Sequence, residues 1–166
     1  MAITRILGAT AITGTIPTSV APGAGKVLQV VYASNGTEVS TTSTSYQSTS
    51  LTANITPSST SNKILICSSI VFQAVTTANN ADIFGVRLDA GGSSIFNPDS
   101  SKRFGIRVNS SGDNNIESIV TFNYLHSSST TSQVTYSIKV ASRDGSTIKM
   151  NPENGESSFT LMEIAG

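Results

Sequence analysis

Apolar and polar residues alternate in pairs along most of this chain. That two-residue period restricts the chain to pleated sheet. The stretch that organises the rest runs from Leu51 to Val75. Leu51, Ala53 and Ile55 alternate with Thr52 and Asn54, the mark of a half-buried strand. Pro57 then removes a backbone donor, and Ser58 to Asn62 supply side chains that bond their own backbone in a turn. From Lys63 the chain becomes apolar. Ile64, Ile66, Ser68, Ile70 and Phe72 share one face of a second strand, and Leu65, Cys67, Val71 and Val75 share the other. That pattern predicts a central strand buried on both sides.

Further strands follow the same rule. They are predicted at 26–33, 82–90, 94–96, 103–108, 116–125, 133–142, 147–151 and 158–165, with a loop or edge strand at 40–50. The cleanest alternation sets Val134, Tyr136, Ile138 and Val140 against Thr135, Ser137 and Lys139. AspGly at 144–145 is a hairpin signal. No segment carries a helical period. The expected fold is all-β, a jelly-roll-like β-sandwich of about eight strands with an extended N-terminal arm. The predicted core includes Ile66, Ile70, Phe72, Phe122, Tyr136 and Ile138.

Residues 1–25 read as that arm, and 26–166 as the head domain. The arm carries Ile3, Ile6, Leu7, Ile12 and Ile16, but Pro17 and Pro22 break any regular element. Its aliphatics need a surface to pack on, so these five residues are the candidates for anchoring and assembly.

Composition narrows the function. The formal net charge is +0 and charged residues make up only 12% of the 166. No net field would draw such a chain to nucleic acid or to an anionic membrane. No run reaches the length of a membrane span, and no signal peptide is apparent, so membrane insertion is not expected. Cys67 is the sole cysteine and His126 the sole histidine, which argues against zinc ligation and excludes an intrachain disulfide. Cys67 is expected to be a buried, inert thiol, and His126 a surface residue at a strand end. No carboxylate pair, calcium loop or nucleophile elbow stands out. Asp82, Asp89, Asp99 and Asp113 each fall at or beside a turn. The expectation is a non-enzyme without cofactor or metal. Tyr32, Tyr46 and Phe96 near strand ends could stack on a sugar. Arg103 and Arg107, on one face of a predicted strand, could meet an anion.

Four motifs carry a resemblance. GKVLQVV at 25–31, ITPSSTSNKILI at 55–66, TYSIKV at 135–140 and FTLMEIA at 159–165 resemble a β-rich module in virion proteins of marine and other tailed bacteriophages. His126 stands where that module's loop has an aspartate. The resemblance implies a structural particle protein with homotrimeric heads. It would be made in the host bacterial cytoplasm and displayed on the virion surface beside other phage virion proteins, such as a major capsid protein or a tail or fibre protein. About 25 residues ahead of the module are too few for a fibre shaft. A capsid decoration or knob is therefore the first expectation. A tail-fibre or spike tip that binds a host-surface glycan or other receptor is the second.

Overall fold

The computed structural model describes residues 25–76, 84–97 and 114–166. Within them the chain forms ten strands in two antiparallel sheets that pack face to face as a jelly-roll-like β-sandwich. The strands are β1 (Val27–Asn35), β2 (Val39–Thr41), β3 (Gln47–Ile55), β4 (Lys63–Thr76) and β5 (Phe84–Ala90). Then come β6 (Ser93–Phe96), β7 (Asn114–His126), β8 (Val134–Ser142), β9 (Thr147–Met150) and β10 (Ser157–Ile164). One more short strand than expected arises before Tyr46, where Val39–Thr41 pairs with β9. The predicted strand at 103–108 and the arm lie outside the described residues.

β4 is the hub of the six-stranded sheet. β7 pairs along one edge of it from Ile64 to Thr76. Two strands share the other edge: β10 pairs with Lys63–Ser69 and β9 with Phe72–Val75. At the handover the Asn151 amide donates to the Val71 carbonyl, and the Val71 amide donates to the Ser157 hydroxyl. No backbone group is left open at that break. β1 extends the sheet beyond β10, and β2 extends it beyond β9. The second sheet runs β3-β8-β5-β6.

Period two decides what is inside. Ile64, Ile66, Ile70 and Phe72 of β4 meet Leu51, Ile55, Phe84, Val86, Leu88, Tyr136 and Ile138 across the sandwich, all buried. Phe72 and Phe84 stack with centroids 4.4 Å apart. Two expectations are corrected. β4 is fully buried on one face only; Leu65, Cys67 and Val71 on the other are half-exposed. Cys67 is therefore not a core thiol. Phe122 is also half-buried: among the described residues β7 has a strand on one side only, and the Phe122 ring packs on Phe96.

The difference between the two phenylalanines is measurable. We expect Phe72→Ala to destabilise by about 3–5 kcal/mol, the range for a fully buried aromatic. Phe122→Ala should cost roughly half as much, since part of its surface stays in water in the native state. Urea unfolding of both variants checks this, and equal losses would contradict the assigned burial.

Candidate functional site

Four surroundings hold side chains that do more than fill the core. The first joins three of the motif segments. Glu163 continues the inward parity of Phe159 and Leu161 on β10, yet it is a carboxylate and only 1% exposed. Its Oε1 accepts from the Ser58 amide (2.6 Å), the Ser58 hydroxyl (2.8 Å) and Asn62 Nδ2 (2.7 Å). Its Oε2 accepts from Gln29 Nε2 (2.9 Å), which also donates to the Thr56 carbonyl. Asn62 Oδ1 takes the Gly166 amide in turn. Burial alone would raise this carboxyl. The hydrogen bonds from Asn62, Ser58 and Gln29 outweigh it and hold the pKa at about 2, against an ordinary 4.5. One carboxylate thus ties β1, the β3–β4 turn and β10 together.

The second is His126 at the end of β7. It is not a lone surface residue. Its Nδ1 lies 2.7 Å from the Tyr136 hydroxyl, and its ring meets the Tyr136 ring edge-on. Phe96, Tyr124 and His126 continue as neighbouring rings along the inner face of β7. Desolvation lowers the His126 pKa and raises that of Tyr136, so both are neutral near pH 7. Among the described residues no carboxylate bonds this pair in the role a catalytic triad would need.

The third is on the outer face of the four-stranded sheet. Asp89 is not at a turn but within β5, fully buried, and it forms a two-point pair with Arg87 (2.7 and 2.8 Å). Lys139 on β8 reaches it at 3.2 Å. Arg87 also lies over the Tyr46 ring, 4.7 Å from its centroid, and the Tyr46 hydroxyl donates to Asn97 Oδ1 (3.1 Å). Two of the sequence-predicted residues are thus close in the chain's fold but on opposite sides of the sheet. Tyr46 packs outside under Arg87, and Phe96 packs inward against Phe122 and Tyr124. Arg103, Arg107, Ile3, Ile6, Leu7, Ile12 and Ile16 lie outside the described residues.

The fourth is the outer face of the six-stranded sheet, and the sequence reading missed it. The register lines up Val30, Met162, Leu65 and Leu125 as one row across β1, β10, β4 and β7. Val30 is 58% exposed and Leu125 48%. The next row towards the chain's entry holds Val27 and Ile164. On the other side Tyr32, 64% exposed, shares a row with Thr160, Cys67 and Asn123. Beyond it the face is Ser34, Ser158, Ser69 and Thr121. The apolar strip therefore sits at one end of the face; past the hydroxyl row the same face continues with Val71 and Ile119, the latter 61% exposed, and then with Gln73, Glu117 and Lys149. A signal for it was present in the unusual run of apolar residues in VLQVVY, with both parities filled.

Among the described residues no three His, Cys, Asp or Glu side chains gather as a metal site requires, and no helix is long and apolar enough to cross a membrane. No protein-family model matches the chain, and no curated protein matches it in sequence. Solved structures similar to it include the T13 particle of infectious bursal disease virus, with a TM-score of 0.47 and 12% identity over 98% of this chain. T=1 particles derived from infectious bursal virus give 0.48 and 10% over 99%. The VP2 subviral particle of infectious bursal disease virus gives 0.44 and 14% over 99%. This chain spans about two-fifths of the length of those chains, 39%, 41% and 37%.

Two outcomes follow from the polar groups. Glu163 has its pKa depressed on folding, so its contribution is complete above the unfolded value near 4.5 and is lost as pH falls towards about 2. We expect Glu163→Gln to lower stability at pH 7 by roughly 2–3 kcal/mol, because an amide must face four donors. The variant should also show a flatter stability profile between those pH values, read by urea unfolding at each pH. His126→Ala removes the ring partner of a buried hydroxyl and should cost about 1–3 kcal/mol. In the Tyr136→Phe background the same change should cost less, a coupling that a double-mutant cycle measures.

Proposed function

We propose that this protein is a structural component of a bacteriophage virion, displayed on the particle surface as a decoration or knob and anchored by its N-terminal arm. Its head is not an enzyme in this reading, and its partners are copies of itself, as a homotrimer, and other virion proteins. The observation that carries the proposal is the way the motifs of the resemblance combine. GKVLQVV contributes β1 and Gln29. ITPSSTSNKILI contributes the turn with Ser58 and Asn62. FTLMEIA contributes β10 and Glu163. Three motifs scattered over the chain thus share one buried carboxylate. This supports reading them as the signature of a single rigid head.

The strip on the six-stranded sheet supports a role in assembly. Val27, Val30 and Leu125, at 45–58% exposure on one face, are what a protein that joins a larger body would present. Among the described residues β1 is also an edge strand, nine residues long, with no charge and no proline to discourage a partner. The segment ahead of Gly25 is long enough to reach a shell, since 24 extended residues span up to roughly 80 Å.

A fibre or spike tip that binds a host-surface glycan is the second reading. Tyr32 favours it, as a ring 64% exposed on an edge strand. Copy number on purified particles separates the two: on the order of hundreds for a decoration protein, a few to a few dozen for a tip. Deleting residues 1–22 should leave a folded head that no longer attaches. Full occupancy of particles by the truncated head would overturn the anchoring role.

A further inference from the structure

We infer that the apolar strip on the six-stranded sheet is the seat of this chain's own N-terminal segment, residues 1–24, in the free subunit. The strip is made by Val30, Met162, Leu65 and Leu125 in one row, with Val27 and Ile164 in the next. Four strands at about 4.8 Å spacing give the row a length of roughly 14 Å. Four to five residues of extended chain cover that distance.

Position selects the occupant. The chain enters β1 beside the strip: the Gly25 amide donates to the Ala165 carbonyl, and the Ala165 amide donates to the Lys26 carbonyl. The other two segments outside the described residues join the sheet at its far end. Residues 77–83 leave β4 after Thr76, and residues 98–113 enter β7 at Asn114. From Leu65 to Thr76 is about 36 Å of strand, so neither joins the sheet near the strip. Gly25 has φ +94°, a left-handed conformation that glycine adopts readily. With Pro22 and Gly23 before it, the chain can reverse there and run back over the face it has just left.

Chemistry fits the same occupant. The segment from Thr10 to Ile16 reads TAITGTI, with Ile12 and Ile16 in one parity and Thr13 and Thr15 in the other. Laid on the strip, that pattern buries two isoleucines and turns hydroxyls to water, as in the row of Ser34, Ser158, Ser69 and Thr121 on the same face. Lys63, beside Ile164, is the sole charged residue in the two rows, so the seat selects for apolar character and not for charge. The inference concerns the subunit in isolation, so it stands or falls apart from the virion reading.

Cys67 offers a native probe. It is the only cysteine, half-exposed on this face, and follows Leu65 by one side-chain repeat, about 7 Å. Maleimide labelling of Cys67 should be compared in the full chain, in I12S/I16S and in V30S/L125S. We expect both variants to label roughly tenfold faster than the parent, because thiol reactivity follows access. A synthetic peptide of residues 1–24 added to I12S/I16S should restore the slow rate, whereas added to V30S/L125S it should not. Equal rates in all three chains would overturn the inference. So would protection in the parent that disappears on dilution, which would make a second copy the occupant.

Discussion

β4 has two edges and fourteen residues, and every other decision in the larger sheet follows from how those edges are filled. β7 matches its length and takes one edge whole. β9 and β10 are each too short for the other, so they divide it, and the chain between them must pass Val71 without leaving its backbone unpaired. The Asn151 amide and the Ser157 hydroxyl meet that demand. Asn151 does so with φ 56°, while its side-chain amide bonds the Asn35 and Thr37 carbonyls. A single strand thereby fixes the order of five others, and the core beneath them inherits its parity.

Apolar alternation sets which face is inside but tolerates a slide of two residues, since parity survives it. Three buried polar groups remove that freedom. Glu163 accepts four hydrogen bonds from residues on β1 and on the β3–β4 turn, and a shifted β10 would leave them all unmade. Asp89 does the same for β5 against β8 through Lys139. Asn151 does it for the β9–β10 junction. Each such group is costly when unpaired, so alternatives are penalised more than the native arrangement is favoured.

Most of the strands were legible in the sequence because they are half-buried, and half-burial is what period two reports. Gln133–Ser142 and Ser158–Ala165 show it, shifted by about a residue at their ends. Phe122 and Cys67 were misread for a related reason. Alternation assigns a side chain to a face, but not whether that face is covered. Glu163 was legible in part: its parity with Phe159 and Leu161 points inward, and a carboxylate there implies partners. Which partners was hidden, since Gln29, Ser58 and Asn62 are over a hundred positions away. Arg87 and Asp89 are two apart on one strand, a spacing that puts them on one face, while Lys139 joins them only through pairing of β5 with β8. His126 lacked a sequence partner because Tyr136 lies across the sandwich on β8.

The two outer faces of the sandwich are therefore unlike. On the four-stranded sheet, Arg87, Asp89, Lys139 and Tyr46 satisfy one another, and a partner approaching there would have to break a charge pair to gain contact. On the six-stranded sheet, the strip from Val30 to Leu125 has no polar group to desolvate, so covering it releases water at no such cost. The hydroxyls of Ser34, Ser158, Ser69 and Thr121 bound it on one side and limit its apolar area. An apolar partner would find its largest row of uncharged side chains at that end of the face, beside the point where the chain enters. A neutral head has little long-range repulsion to hold copies or partners away.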